Sequence, residues 1–212
     1  MNRKFKKKII NYFGKYLYYM IFPSVPRLQG DRILKRIYRK LKPGRTLFIG
    51  ASWKEYYKSL IPATEFLTLD IDDFYEPDIL SDVHDIKCEN ESFDTVVATR
   101  IFEHCYDPQK AVKEVHRILK KGGVCVIEVP FIYKRHSSHD YYRFTRWGLA
   151  YLLKDFKKVK IIPHGNRFQV LWLFLSQGFF LRFLMRPFNF FVSFINYKSK
   201  DFSIGYVAYA VK

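Results

Sequence analysis

Residues 92–130 read SFDTVVATRIFEHCYDPQKAVKEVHRILKKGGVCVIEVP and carry the clearest structural pattern in this chain of 212 residues. The apolar runs at 93–98 and 124–129 have the composition of strands that are buried on both faces. Because a helix-like segment separates them, they predict two parallel strands joined by a crossover helix.

The segment between these two runs has the signals of a helix with defined ends. Asp107 is placed to cap it, Pro108 suits its first turn, and Gly122 is predicted to end it. Its apolar residues recur at helical spacing and form one face: Ala111, Val112, Val115, Ile118 and Leu119.

Comparable apolar runs occur on both sides of this stretch, and they predict further strands. They lie at 46–49, 66–69, 159–162 and 206–211. Runs that are apolar throughout and separated by one helix length are typical of a buried, mostly parallel sheet. The sequence therefore predicts an α/β protein with an open, doubly wound sheet.

The composition fits a single domain with a sizeable core and excludes several other classes. Apolar residues make up 49% of the chain, so wholesale disorder is excluded. The three cysteines are odd in number and scattered, which excludes a disulfide framework and a paired-cysteine zinc site and suggests a reducing, cytoplasmic compartment. No metal site is predicted from the sequence.

The net charge of +17 is unevenly distributed. Residues 1–45 carry a net charge of +13, residues 46–130 carry −7, and residues 131–212 carry +11. A basic central face, which is typical of proteins that bind long nucleic acids, is therefore missing from the predicted sheet region.

Two residues follow predicted strands at positions where open α/β sheets bind ligands. Gly50 follows the first strand, where a missing side chain lets a ligand approach the backbone. Asp70 follows the second strand about 20 residues later, a spacing that suits a carboxylate bound to ribose hydroxyls. A tight turn and a solvated carboxylate remain the alternative for these two residues.

Several linked motifs resemble the class I S-adenosylmethionine-dependent methyltransferases, and in particular the bacterial group called type 11. The resemblance covers about residues 45–162, and 205–212 match the last strand of that family. It implies a Rossmann-like sheet of seven strands, mostly parallel with an antiparallel last strand and with helices on both faces. The motifs that carry it are SDVHDI at 81–86, SFDTVV at 92–97, FEH at 102–104, DP at 107–108 and RILKKGG at 117–123.

The resemblance also implies S-adenosylmethionine as cofactor and a set of residues that bind it. Asp70 would accept hydrogen bonds from the ribose, Asp82 would bind the adenine amino group, and Arg100 would balance the methionine carboxylate. The full implied set is Gly50, Ala51, Ser52, Asp70, Ile71, Asp82, Val83, Thr99 and Arg100.

The first glycine motif departs from the family pattern. Phe48 stands where an acidic residue is expected, and Ser52 and Lys54 stand where further glycines are expected. These differences keep open an alternative in which the chain is a catalytically silent module for binding or scaffolding.

An acceptor site is predicted after the strand at 124–129. Residues 135–145, RHSSHDYYRFT, are similar to a DYYRFT element of methyltransferases from bacterial surface-glycan gene clusters. His139 with Asp140 is the predicted base or hydroxyl-orienting pair, and His104 is a further catalytic candidate. The predicted substrate-binding residues are Glu103, Tyr142 and Arg143. The alternative is that this element only caps a helix at 147–153 through Thr145 and that its other polar residues have no role in binding.

The two ends of the chain combine basic and aromatic residues. Residues 1–45 are predicted to be a basic, aromatic, helical extension, and residues 46–212 a methyltransferase domain with a hydrophobic helical insertion at about 168–196. The apolar stretches at 1–22 and 168–196 are too interrupted to span a bilayer, but their composition suits a membrane surface. A helical insertion packed on the sheet is the alternative for 168–196.

The predicted function is methyl transfer to a small polar or glycan acceptor, with or without a lipid link, at the cytoplasmic face of a membrane. Methylation of RNA is a weaker alternative, since charge and aromatic stacking could hold single strands, although long aliphatic runs at the basic ends are not needed for RNA binding. The identity of the acceptor and the oligomeric state are not predicted.

Overall fold

The computed structural model describes residues 23–176, 181, 184–195 and 202–212. The predicted membrane contact of 1–22 and part of that of 168–196 therefore lie outside the described residues.

A single sheet of seven strands forms the centre of the described structure, in the order β3-β2-β1-β4-β5-β7-β6. Strands β1 to β5 pair in parallel, whereas β7 runs antiparallel to both β5 and β6. The predicted doubly wound, mostly parallel sheet with an antiparallel last strand is confirmed. The strands are β1 Arg45–Ile49, β2 Glu65–Asp70, β3 Ile79–Leu80, β4 Phe93–Thr99, β5 Leu119–Pro130, β6 Lys158–His164 and β7 Gly205–Val211.

Helices cover both faces of the sheet because successive strand residues point to opposite sides. Leu47, Val96 and Ile127 are buried in one core layer with residues of α3 and α4, whereas Phe48 and Val97 are buried in the opposite layer with residues of α1. The helices with described bounds are α1 Val25–Tyr38, α2 Lys54–Lys58, α3 Pro108–Ile118, α4 Arg146–Leu152, α5 Arg167–Leu175 and α6 Asn189–Val192.

Helix α1 belongs to the core of the domain, which corrects the predicted boundary at residue 45. Leu34, Ile37 and Tyr38 are buried against the sheet together with Phe48 and Val207. The basic residues of this segment suggested an extension outside the domain. However, the buried stripe of α1 forms part of one core layer, together with Tyr57 and Ile61, so at least the part from Val25 onwards is integral to the fold.

Two predicted helix caps are confirmed. The Asp107 carboxylate accepts a hydrogen bond from the Lys110 amide at 3.0 Å, and Pro108 is the first residue of α3. The Thr145 hydroxyl accepts one from the Gly148 amide at 3.0 Å and begins α4. Such side-chain acceptors satisfy amides that have no partner inside the helix.

The end predicted for α3 at Gly122 is wrong, because the helix ends at Ile118 and β5 begins at Leu119. Leu119 pairs with Phe93 of β4, and the Gly122 amide donates to the Lys212 carbonyl oxygen. Residues 119–122, which the local helix signals assigned to α3, are therefore part of β5, because they pair with strands that are distant in sequence.

The described part of the predicted insertion is helical and packs on the domain through one side. Val170 and Leu173 of α5 are buried with Val25, Val192 and Ile204 in a third, smaller core cluster. The opposite side leaves many large apolar side chains exposed, and we call them the aromatic surface: Phe168, Leu171, Phe174, Leu175, Phe188, Phe190, Phe191, Phe194 and Ile195. Within the described ranges, no helix is long and apolar enough to cross a membrane.

The integration of α1 can be tested by truncating its fully buried Leu34. We expect Leu34→Ala to lower the free energy of unfolding by about 2–5 kcal/mol, because it leaves a cavity between α1 and the sheet. Arg36→Ala, at an exposed position of the same helix, should change it by less than about 0.5 kcal/mol. Urea unfolding checks both values, and equal small effects would mean that α1 does not contribute to the core.

Candidate functional site

A cavity of 550 Å³ lies at the carboxyl ends of β1, β2 and β4, and we call it the strand-end cavity. Gly50 follows β1 with a φ of +94°, and a Cβ at this position would lie 2.4 Å from Cδ1 of Ile101. Only glycine therefore fits at this turn without displacing a neighbour. Of the predicted site residues, seven line the cavity: Gly50, Asp70, Ile71, Asp82, Val83, His104 and His139.

Asp70 is held in place at the edge of this cavity by backbone amides. Its carboxylate accepts hydrogen bonds from Ala51 at 2.8 Å and from Asp72 at 3.0 Å. Each carboxylate oxygen can accept a further hydrogen bond. The side chain is therefore fixed in position and still able to bind a pair of hydroxyl groups.

The residues that replace the expected glycines leave the cavity open. Lys54 donates hydrogen bonds from its ammonium group to the carbonyl oxygens of Tyr75 and Glu76, at 3.0 and 2.8 Å. Neither Lys54 nor Ser52 lines the strand-end cavity. Ala51 and Thr99 are also absent from its lining, although Ala51 contacts Asp70 through its amide.

The structure revises the predicted role of Arg100. Its guanidinium donates to Glu128 Oε1 at 2.9 Å and lies 3.8 Å from Asp31 of α1, and it does not line the strand-end cavity. Glu128 is 2% exposed, and a carboxylate at that depth needs a cationic partner. The Arg100 side chain is therefore used to neutralise Glu128, and it lies outside the cavity in which a ligand carboxylate would need a cationic partner.

A cluster of one carboxyl group and two imidazoles lies beside the strand-end cavity. Glu103 Oε1 is 4.0 Å from Nε2 of His104 and 4.0 Å from Nε2 of His136. Burial raises the pKa of Glu103 to about 8, while its own backbone amide and Arg100 act in the opposite direction. Burial lowers the pKa of His136, and Asp140 partly opposes this shift.

The predicted pairing of His139 with Asp140 is not formed, because Asp140 has other partners. Its carboxylate accepts from Arg143 in a two-pronged contact at 2.5 and 2.7 Å, and it lies 3.2 Å from Nδ1 of His136. Hydrogen bonds from Arg143 hold the pKa of Asp140 well below its usual range. Asp140 therefore orients His136 and Arg143, and it is not a base for His139.

The remaining predicted substrate residues are also occupied by contacts within the chain. The Tyr142 hydroxyl donates to the Tyr106 carbonyl oxygen at 3.1 Å. Arg143, besides holding Asp140, donates to the carbonyl oxygens of Tyr133 and Lys134 at 3.0 and 2.8 Å. These contacts fix the loop after β5, and neither side chain lines the strand-end cavity.

His136 belongs to the predicted acceptor element at 135–145, but no separate role was predicted for it. The predicted set also omits His84 and Tyr106, which line the strand-end cavity. His84 is 5% exposed, lies 2.6 Å from Asp82 Oδ1 and stacks on Tyr106 at 4.0 Å between ring centroids. Its position two residues after Asp82 in the SDVHDI motif could have indicated it.

A second, larger cavity of 640 Å³ lies near the cluster, and we call it the basic cavity. Three of its described lining residues are basic, Lys134, Arg135 and Arg186, and none is acidic. His136 and Ser137 reach it from the loop after β5, and other lining residues come from the elements that carry the aromatic surface. The Glu103 cluster therefore lies between two cavities of different character.

Comparison with known proteins agrees with this geometry. Residues 63–127 match the family model for a methyltransferase domain. The matched segment runs from the turn before β2 to Ile127 of β5, so the similarity to methyltransferase domains covers the middle of the sheet. No curated protein matches the sequence.

Solved methyltransferase structures share the fold at low sequence identity. An S-adenosylmethionine-dependent methyltransferase from Thermotoga maritima is 14% identical, with 99% of each chain covered and a TM-score of 0.57. One from Archaeoglobus fulgidus is 16% identical over 94% of this chain and 100% of the other, with a TM-score of 0.58. Phosphoethanolamine N-methyltransferase 2 from Haemonchus contortus, solved with S-adenosylmethionine, is 19% identical over 94% of this chain and 56% of its own, with a TM-score of 0.58.

The residues of the strand-end cavity fit S-adenosylmethionine, the compound bound in the Haemonchus contortus structure. The cavity offers a glycine turn that a Cβ would fill and a carboxylate, Asp70, with acceptor capacity left. Val83 and the 70% exposed Ile71 supply apolar surface for a flat ring. This combination of groups suits a nucleoside.

Proposed function

We propose that this chain transfers a methyl group from S-adenosylmethionine to a small polar or glycan acceptor that is linked to a lipid. The observation that carries the proposal is the strand-end cavity, with Gly50, Asp70 and Asp82 on its wall. When bound there, S-adenosylmethionine supplies a methyl group on a positively charged sulfur.

The cofactor-binding part of the proposal assigns a role to each wall of the cavity. Asp70 accepts hydrogen bonds from the ribose hydroxyls, because its carboxylate is fixed by two amides and keeps free acceptor positions. Asp82 binds the adenine amino group, and Ile71 and Val83 pack on the ring. Gly50 lets the methionine portion approach the backbone.

The acceptor side of the proposal uses the polar residues that close the strand-end cavity. His139 lines that cavity, no carboxylate of the described residues pairs with it, and its Nδ1 lies 3.2 Å from the Ser138 hydroxyl. We assign it the role of receiving a proton from an acceptor hydroxyl. Alignment of the acceptor with the methyl group supplies much of the rate of methyl transfer. The contacts of Arg143, which fix the loop after β5, would therefore help to align the acceptor.

The basic cavity supports an acceptor that carries negative charge or many hydroxyls. Lys134, Arg135 and Arg186 line it, together with hydroxyl groups such as that of Ser137. Arginine and lysine at one site are suited to phosphate and carboxylate groups. A lipid-linked glycan presents both hydroxyls and phosphate charge.

The aromatic surface supports a lipid carrier and a location at the membrane surface. Arg186 and Asn189, which line the basic cavity, are neighbours in sequence of the exposed Phe188, Phe190 and Phe191. Large exposed apolar patches on soluble domains mark interaction sites. The charge of +13 in residues 1–45 adds attraction to anionic lipids. An acceptor held at the membrane would thus enter the basic cavity from the side of the aromatic surface.

The first test measures the binding of S-adenosylmethionine by calorimetry with wild type and Asp70→Asn. We expect wild type to bind and the variant to bind at least about tenfold more weakly, because hydrogen bonds to a charged acceptor contribute roughly 1.5–3 kcal/mol. Asp73→Asn makes the same charge change at an exposed position nearby and should bind as wild type does. If wild type shows no binding at high micromolar cofactor, the catalytically silent module is favoured instead.

The second test measures binding to anionic phospholipid vesicles by sedimentation. We expect the double substitution Phe188→Ser and Phe191→Ser to weaken vesicle binding roughly tenfold, since both rings are more than half exposed and would enter the lipid interface. Trp147→Ser, which removes an 82% exposed aromatic ring from α4, is the matched control and should bind like wild type.

Single-stranded RNA at the same salt concentration provides the contrasting ligand. We expect the protein to bind RNA more weakly than it binds the vesicles, and we expect the two phenylalanine substitutions to leave RNA binding unchanged. Equal vesicle binding by wild type and the double variant would contradict the membrane proposal, and tight RNA binding would favour RNA as the acceptor.

A further inference from the structure

We propose that Glu103, His104 and His136 form a binding site for a divalent transition-metal ion, with Zn²⁺ as the best fit. One ligand atom from each residue lies within 4.8 Å of the other two. Both distances from Glu103 Oε1 to an imidazole Nε2 are 4.0 Å. Ligands of tetrahedral zinc, at about 2.1 Å from the ion, lie about 3.4 Å apart, so each of these two pairs needs to close by about 0.6 Å.

The two histidines present the correct nitrogen to the centre of the cluster. Nδ1 of His136 lies 3.2 Å from the Asp140 carboxylate, and Nδ1 of His104 lies 2.5 Å from the carbonyl oxygen of His139. These acceptors assign the ring proton to Nδ1 and leave the lone pair on Nε2, which faces Glu103. Metal-binding histidines in proteins are oriented by the same type of contact.

The partners of Asp140 strengthen this arrangement. Its side chain is fully buried and is held by both terminal nitrogens of Arg143 and by the amide of His136. A carboxylate that is fixed on one side by arginine and contacts a histidine on the other keeps the imidazole in one orientation. Asp140 and Arg143 of the DYYRFT element thus position a metal ligand and do not line the strand-end cavity, whereas Tyr141 of the same element does.

An independent observation is the state of Glu103 itself. Its side chain is 1% exposed, and Oε2 has no hydrogen-bond partner among the described residues. A buried carboxyl oxygen without a partner is rare and costly in native proteins. Arg100, the arginine on the preceding strand end, is already paired with Glu128. A cation that binds both imidazoles and both oxygens of the Glu103 carboxylate would supply a partner for Oε2.

The donor set and the open side of the cluster define the class of ion. Two imidazole nitrogens and one carboxylate suit zinc and similar divalent metals, and three protein ligands leave a position open, as in catalytic zinc sites. His104 lines the strand-end cavity, and His136 lines the basic cavity. The open position would therefore lie where an acceptor reaches the cofactor.

A metal at this place would bind and polarise an acceptor oxygen, which lowers the pKa of a bound hydroxyl. This role rests on the proposed function, whereas metal binding itself does not. His104, predicted from the sequence as a catalytic residue, would then act as a ligand, and His139 would remain available to receive the proton.

The test uses the full chain, freed of any affinity tag, stripped with a chelator and dialysed against Zn²⁺. We expect about one zinc per chain by mass spectrometry of the metal and at least tenfold weaker binding for Glu103→Gln and for His136→Gln. His116→Gln changes a histidine outside the cluster and should bind zinc as wild type does. Asp140→Asn should weaken zinc binding about 10–100-fold through the loss of His136 orientation.

Two further readouts separate the metal site from the proposed function. Co²⁺ in place of Zn²⁺ should give the visible absorption of a four- or five-coordinate site in wild type and lose it in Glu103→Gln. Binding of S-adenosylmethionine, measured on the same samples, should persist in both cluster variants, which also shows that they are folded. Zinc binding that is absent from wild type, or equal in wild type, Glu103→Gln and His136→Gln, would overturn the proposal whatever the cofactor result.

Discussion

Parallel pairing of β1 with β2 on one side and with β4 on the other is the constraint on which the site depends. Ile49 at the end of β1 lies opposite Leu69 of β2 and Ala98 of β4. The carboxyl ends of all three strands therefore meet at one edge, and the Gly50 amide continues the pattern by donating to Leu69. A shift of one residue in the pairing of β1 with β2 would move Asp70 out of register with Gly50, and the same shift between β1 and β4 would displace Ile101.

Two buried carboxyl groups near this edge, those of Glu128 and Glu103, have different partners. Glu128 of β5 is neutralised by Arg100, whose φ of +58° is unusual for a residue with a side chain. The guanidinium of Arg100 lies toward α1 and its Asp31. This ion pair connects α1 to the sheet, and it keeps the positive charge of Arg100 away from the strand-end cavity. Glu103, three residues later, has no such cation and faces two imidazoles instead.

Features that depend on neighbours in sequence were predictable, and those that depend on the fold were not. Periodicity located the strands, and the caps at Asp107 and Thr145 follow from contacts within four residues. The predicted end of α3 was wrong because Leu119 pairs with Phe93 of β4. This pairing joins residues that are distant in sequence, so the local sequence does not indicate it. Asp140 was assigned to its neighbour His139, whereas the turn after β5 gives it Arg143 and His136.

The same distinction applies to the site. Gly50, Asp70 and Asp82 could be proposed from strand ends and from the family resemblance, because these positions depend on the sheet alone. The contact of His136 with Glu103 could not be predicted, since the two residues are separated by 33 positions and meet only through the loop after β5. Lys54 stands where the family pattern has a glycine, and the sequence alone indicated that it could weaken cofactor binding. In the structure its side chain contacts Tyr75 and Glu76 and leaves the strand-end cavity open.

The most direct test of the account is a crystal structure with S-adenosylhomocysteine bound. The account predicts the ribose hydroxyls on Asp70, the adenine between Ile71 and Val83, and the sulfur directed toward the His104 side of the strand-end cavity. A ligand bound elsewhere, for example in the basic cavity, or a bound ligand with Asp70 turned away from the ribose, would contradict it.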